Sequence, residues 1–156
     1  MALITRTLTG IVRCDGIDAE DIVADEPIHE SRAVDQILIE NQDTLVPLDP
    51  PGHFKWGGEC RVELDFRAKL LPAGPTGLGP DQAIEVSGQA RFFEGASVDT
   101  GELEDAKDFF FRVPRSLSDA GPIGFQVALR NSTVIGAEDH ATVSFNLKNK
   151  PGPETE

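Results

Sequence analysis

Tyrosine is absent from this sequence and tryptophan occurs once, at Trp56. A broad aromatic surface for stacking sugars is therefore poorly supplied. The two cysteines, Cys14 and Cys60, are too few for a four-cysteine zinc site. The histidines His29, His53 and His140 lie far apart, with neither H-x-H nor H-E-x-x-H spacing. Bases are scarce: 14 Lys and Arg stand against 27 Asp and Glu, a net charge of −13. That balance excludes a nucleic-acid backbone as the expected partner, because no basic patch is in view. No apolar run reaches the ~20 residues of a membrane-spanning helix. The opening "MALITRTLTGIVRC" is interrupted by Thr5, Arg6, Thr7 and Thr9, so no secretory leader is expected and the expected location is cytoplasmic. In that compartment both thiols are expected free and buried, since each falls on the apolar parity of a strand.

Linear catalytic motifs are missing too. "GASVD", from Gly95 to Asp99, resembles a nucleophile elbow but carries Asp99 where the sharp turn needs a second glycine. "GPTGLGP" contains two prolines and precedes no helix, unlike a phosphate-binding loop. An enzyme is accordingly the third reading, behind two binding functions.

The dominant feature present is a period of two. In "CRVELDFRAKL", Cys60, Val62, Leu64, Phe66, Ala68 and Leu70 share one face, and Arg61, Glu63, Asp65, Arg67 and Lys69 the other. Ile4, Leu8 and Val12 share one parity near the N-terminus, opposite Thr5, Thr7 and Thr9. "AIEVSGQARFF", "FFFRV", "GFQVALR" and "ATVSFNLK" follow the same rule, with Gly- and Pro-rich turn signals between them. Such alternation marks antiparallel sheets covered on one face. The expected fold is an all-β antiparallel β-sandwich, jelly-roll or immunoglobulin-like, of about seven to eight strands. Residues 1–148 form one expected domain, and 149–156 a flexible C-terminal tail. "SRAVDQILIENQ" fits a helix turn or a strand, and the strand is expected from Gln36. "VPLDPPGHFKWGG" is expected to be an ordered connection without regular structure. The mixed-sign row of Arg61 to Lys69 is expected to pair across strands as the wet side of a sheet, not to bind a ligand.

Two candidate sites emerge. The stretch from Asp15 to Glu30 carries seven carboxylates (Asp15, Asp18, Glu20, Asp21, Asp25, Glu26 and Glu30) and no Lys or Arg. A second acidic loop holds Asp99, Glu102, Glu104, Asp105 and Asp108, and "AEDH" adds Glu138, Asp139 and His140. Calcium takes six to eight oxygen ligands, and loops at one end of a sandwich can supply them jointly. Asp15, Asp18, Asp21, Asp99, Glu102 and Asp105 are the expected ligands if the loops share an end, and solvated surface if they do not. No other cofactor is expected. The second candidate is the loop of His53, Lys55 and Trp56, a stacking platform for a carbohydrate or another small ligand. The first function expected is thus a non-enzymatic binding or assembly module, with a protein partner or self-association through its end loops. A small-ligand protein centred on Trp56 is the alternative.

Overall fold

Strict alternation yields long strands, and their apolar rows meet between two sheets. The computed structural model describes residues 4–18, 26–57, 60–72, 82–95, 101–115, 121–130 and 139–152. Over these residues the chain is an all-β antiparallel sandwich. Its strands are β1 (Thr5–Asp18), β2 (Glu26–Ile39), β3 (Asp43–Leu45), β4 (His53–Trp56), β5 (Cys60–Leu70), β6 (Ile84–Glu94), β7 (Glu102–Val113), β8 (Ile123–Arg130) and β9 (His140–Pro151). One sheet has the order β2-β1-β9-β8. In the other, β5, β6 and β7 form a meander, and β3 and β4 both pair with the free edge of β5. The described residues contain no helix long and apolar enough to cross a membrane.

Strand β1 lies between β2 and β9, in unbroken register with both. Its even positions Leu8, Val12 and Cys14 are fully buried, while Thr7, Thr9, Ile11 and Arg13 face outward. Gly10 sits at the middle with φ +145°, and a Cβ there would run into the carbonyl oxygen of Asn146 on β9. Only glycine takes this conformation without strain.

Three segments differ from the reading of their sequence. Strand β2 begins at Glu26, ten residues before Gln36, because its full length pairs with β1. The Pro- and Gly-rich connection contains β4, which pairs with β5 through His53–Glu63 and Trp56–Cys60. Strand β9 continues to Pro151 instead of ending at 148, and Asn149 within it is completely buried. Its amide nitrogen donates to the carbonyls of Gln82 (2.8 Å) and Val113 (3.1 Å), and its Oδ1 accepts from Arg6 Nε (2.5 Å). This polar knot seals one end of the core. The added short strands bring the count to nine among the described residues.

Buried Arg32 on β2 explains why the proline-rich connection is ordered. Its guanidinium donates to the carbonyls of Pro51 (3.0 Å) and His53 (2.9 Å) and to Glu30 Oε2 (2.9 Å). It also stacks 4.4 Å from the Phe54 ring. Ala33 and Asp49 exchange backbone hydrogen bonds beside it, so β2 of one sheet is tied to the connection leading into the other. On the opposite side, Phe145 packs against Phe66, Phe109 and Phe111 at 5.6, 5.0 and 5.3 Å, and Phe111 stacks on Phe125 at 4.4 Å. Burial of each such ring contributes about 1.5–3 kcal/mol.

Two of the glycines facing β9, Gly10 and Gly124, give a direct test of the packing. Gly10→Ala is expected to destabilise the protein by about 2–3 kcal/mol in denaturant unfolding, from backbone strain plus the clash. At Gly124 an added Cβ meets its nearest atom, Asn146 Oδ1, at an ordinary 3.7 Å. Gly124→Ala is therefore expected to change stability by less than about 0.5 kcal/mol.

Candidate functional site at the acidic end

Strand register places the acidic segments. β1 ends at Asp18 where β2 starts at Glu26, and Ile17 pairs with His140, the first residue of β9. His140 pairs with Arg130, the last residue of β8. Across the core, Trp56 lies over Gly16, whose missing side chain leaves room for the indole. A Cβ at Gly16 would stand 2.9 Å from Trp56 Cζ2 and 3.0 Å from the His140 carbonyl. Trp56 pairs with Cys60, Cys60 with Glu94, and Glu94 with Glu102. The strand termini flanking both acidic loops and the "AEDH" stretch thus share one end of the sandwich. A hydrogen bond across the sheets, from the Arg130 amide to Asp105 Oδ2 (3.0 Å), lies at that same end.

The individual carboxylates have different tasks. Asp15 Oδ1 accepts from Arg13 Nε at 2.9 Å and lies 2.6 Å from His29 Nδ1. Burial alone would raise its pKa, but the hydrogen bonds and charges of His29 and Arg13 outweigh that and hold it below the usual carboxylate range. Asp105 is engaged by Arg130. Glu102 is exposed and pairs in register with Glu94. Beside them Glu104 is pushed up, first by burial and then by the charges of Glu94 and Glu102, so like charges crowd this corner. Asp139 is buried. The side chain of Asp18 and the whole of Asp21, Asp99 and Glu138 lie outside the described residues. Among the described residues no three His, Cys, Asp or Glu side chains gather closely enough to hold a metal ion.

The three residues of the other candidate do not act together. His53 and Lys55 point outward on β4, whereas Trp56 points inward and is only 6% exposed. Its ring meets Phe92 edge-on at 5.8 Å. The indole is therefore a core residue capping the acidic end, not a platform presented to solvent. Its buried Nε1–H finds no acceptor among the described residues.

On the outer face of the second sheet, four of the five charged residues in the β5 row are paired, Arg61, Glu63, Asp65 and Arg67. Arg91 binds Asp65 at 2.6 Å and approaches Glu63 at 3.7 Å, Arg61 reaches Glu63 at 3.4 Å, and Arg67 reaches Asp43 at 3.1 Å. The exposed Arg67–Asp43 pair contributes about 0–1 kcal/mol, the pairs to Glu63 are half-buried, and together they leave a face of nearly balanced charge.

Both cysteines are free and buried. Cys14 is pushed up from about 9 to about 12, chiefly by burial and then by the negative charges of Asp15 and Glu30, against the lowering effect of Arg32. An unfolded thiol ionises near pH 8.5–9 while the buried one stays neutral, so the unfolded state loses its proton first as pH rises. Stability is expected to fall between pH 9 and 12 by up to about 1.4 kcal/mol per pH unit from this group. Denaturant titrations should show that Cys14→Ala lacks this share of the loss. A thiol reagent at pH 8 should modify native Cys14 and Cys60 slowly and the unfolded chain rapidly.

Comparison with family models, curated proteins and solved structures finds no match to this chain.

Proposed function

We propose that the chain is a non-enzymatic binding or assembly module that makes contact through the acidic end of its sandwich. The observation carrying this reading is the convergence of strand termini from both sheets on that end, where the flanking loops are rich in carboxylates. A folded domain does not gather like charges without cost, and a cationic partner offsets the repulsion. The crowding of Glu94, Glu102 and Glu104 is one local measure of that cost. Trp56 is buried, which weighs against the small-ligand alternative centred on it.

Two kinds of partner suit such a surface: a basic patch on a protein, and calcium. A calcium site at this end would draw on Asp18, Asp21 and Asp99, because Asp15 and Asp105 already accept hydrogen bonds from Arg13 and the Arg130 amide. A ligand that binds only the folded state at a hundredfold excess over its dissociation constant stabilises by about 2.7 kcal/mol. For a domain of this length that corresponds to a rise in melting temperature of roughly 5–10 °C. Sodium at matched ionic strength supplies the screening control. The calcium-specific rise should disappear in Asp18→Asn while the screening contribution persists. If calcium does no more than matched sodium, calcium is removed from the proposal and a basic protein surface remains the partner to seek.

A further inference from the structure

Part of the outer face of the β2-β1-β9-β8 sheet has the opposite character from the acidic end: Arg13, Lys148 and Lys150 outnumber the one described carboxylate beside the lysines, exposed Asp35, which lies across Thr9 from Lys148. A trough of about 550 Å³ runs over β1 and β9, floored by Thr9, Ile11 and Asn146 and flanked by Arg13, Lys148 and Lys150. Among the described residues no acidic side chain lines it, in a chain with 27 acids and 14 bases. Arg13 is already committed to Asp15. The side chains of Lys148 and Lys150 make no ion pair or hydrogen bond with any described residue. They lie two residues apart on one face of β9, opposite Thr9 and Thr7, so their stems rise about 7 Å apart. Ile11 beside them is 50% exposed. The corresponding hollow on the other sheet, about 410 Å³, is lined by Arg67 together with Asp65 and Asp108. The described residues lining that hollow carry both signs of charge, whereas those lining the first trough carry one.

Two unpaired cations next to an exposed aliphatic side chain fit a ligand in which carboxylates and aliphatic groups are interspersed. An inorganic anion would leave Ile11 uncovered. The chain's own segment "DAEDIVADE", Asp18 to Glu26, has that composition: Asp18, Glu20 and Asp21, then Ile22, Val23 and Ala24, then Asp25 and Glu26. We infer that the trough receives the acidic end of a second copy of this chain, joining copies end to face. The inference rests on the acidic end being a contact surface and names its partner. Because the two surfaces differ, the contact is heterologous, and repetition gives open chains of molecules unless the rotation between copies closes a ring.

Sedimentation velocity over a range of concentrations, at physiological ionic strength and at 1 M salt, tests it. The protein is expected to self-associate at the lower salt and to dissociate at 1 M, where contacts between exposed charges are screened. Lys148→Ala/Lys150→Ala is expected to raise the dissociation constant by about tenfold or more, the loss of roughly 1.4 kcal/mol or more of binding. Lys69→Ala/Lys107→Ala makes the same change in net charge on the other sheet and is expected to leave association unchanged. Mixing a Lys148→Glu/Lys150→Glu chain with an Asp21→Lys/Asp25→Lys chain should restore association that neither shows alone. A synthetic peptide of residues 18–26 should compete. A protein that stays monomeric, or associates equally well in the trough and control variants, overturns the inference. If the peptide binds in a lysine-dependent way while the protein stays monomeric, the second copy is overturned as occupant and the proposed binding function stands. If copies associate independently of both the trough and the acidic end, both fail.

Discussion

The register of β1 is the constraint on which the rest of the molecule depends. An antiparallel strand with one covered face cannot slip by one residue without exposing its core row. For β1 that slip would turn Leu8, Val12 and Cys14 to solvent and bury Thr7, Thr9 and Arg13. Pairing on both sides, with β2 and β9, fixes the register twice, and Gly10 is the point where β1 and β9 approach too closely for any side chain. From this one register follow the outward row that meets Lys148 and Lys150, and the arrival of Asp15 and Asp18 at the acidic end.

Four groups close the sandwich once the register is set. The phenylalanines around Phe145 fill the side between β7 and β8. Arg32 ties β2 to the connection before β4 on the other side. Arg6 and Asn149 seal one end, and Trp56 over Gly16 caps the acidic end. Two of these closures use a buried arginine, and each guanidinium donates to backbone carbonyls. Buried cations satisfied in this way are costly to disturb, since removing the partner leaves an uncompensated charge. Charge elsewhere is sorted by location: paired on the outer face of the β5 sheet, negative at one end, and positive in the β1–β9 trough.

Much of this was legible in the residues. Alternation identified the sandwich, the inward parity of Cys14 and Cys60, and the outward charged row from Arg61 to Lys69, paired as far as Arg67. What alternation could not show was which end each loop occupies. In an antiparallel fold, successive connections alternate between the two ends, so a missed strand reverses every later assignment. Reading residues 46–58 as a plain connection omits the climb along β5 that β4 completes, and the two acidic loops then fall at opposite ends. The alternation in "HFKW", buried at Phe54 and Trp56 and exposed at His53 and Lys55, was the available signal, masked by surrounding prolines and glycines. Arg32 and Asn149 were illegible for another reason. Each is a polar residue on an inward parity, and only their backbone partners, distant in sequence, make that position tolerable.

In the proposed contact between copies, the lysines of the β1–β9 trough meet carboxylates of the acidic end. Zero-length carbodiimide cross-linking joins an amine only to a carboxylate already in contact with it. Applied to a mixture of isotopically light and heavy protein, followed by peptide mass spectrometry, it reads contacts between copies directly. The account predicts mixed light–heavy links joining Lys148 or Lys150 to carboxylates between Asp18 and Glu26. Links between copies that avoid those two lysines, or no mixed links at all, would contradict it.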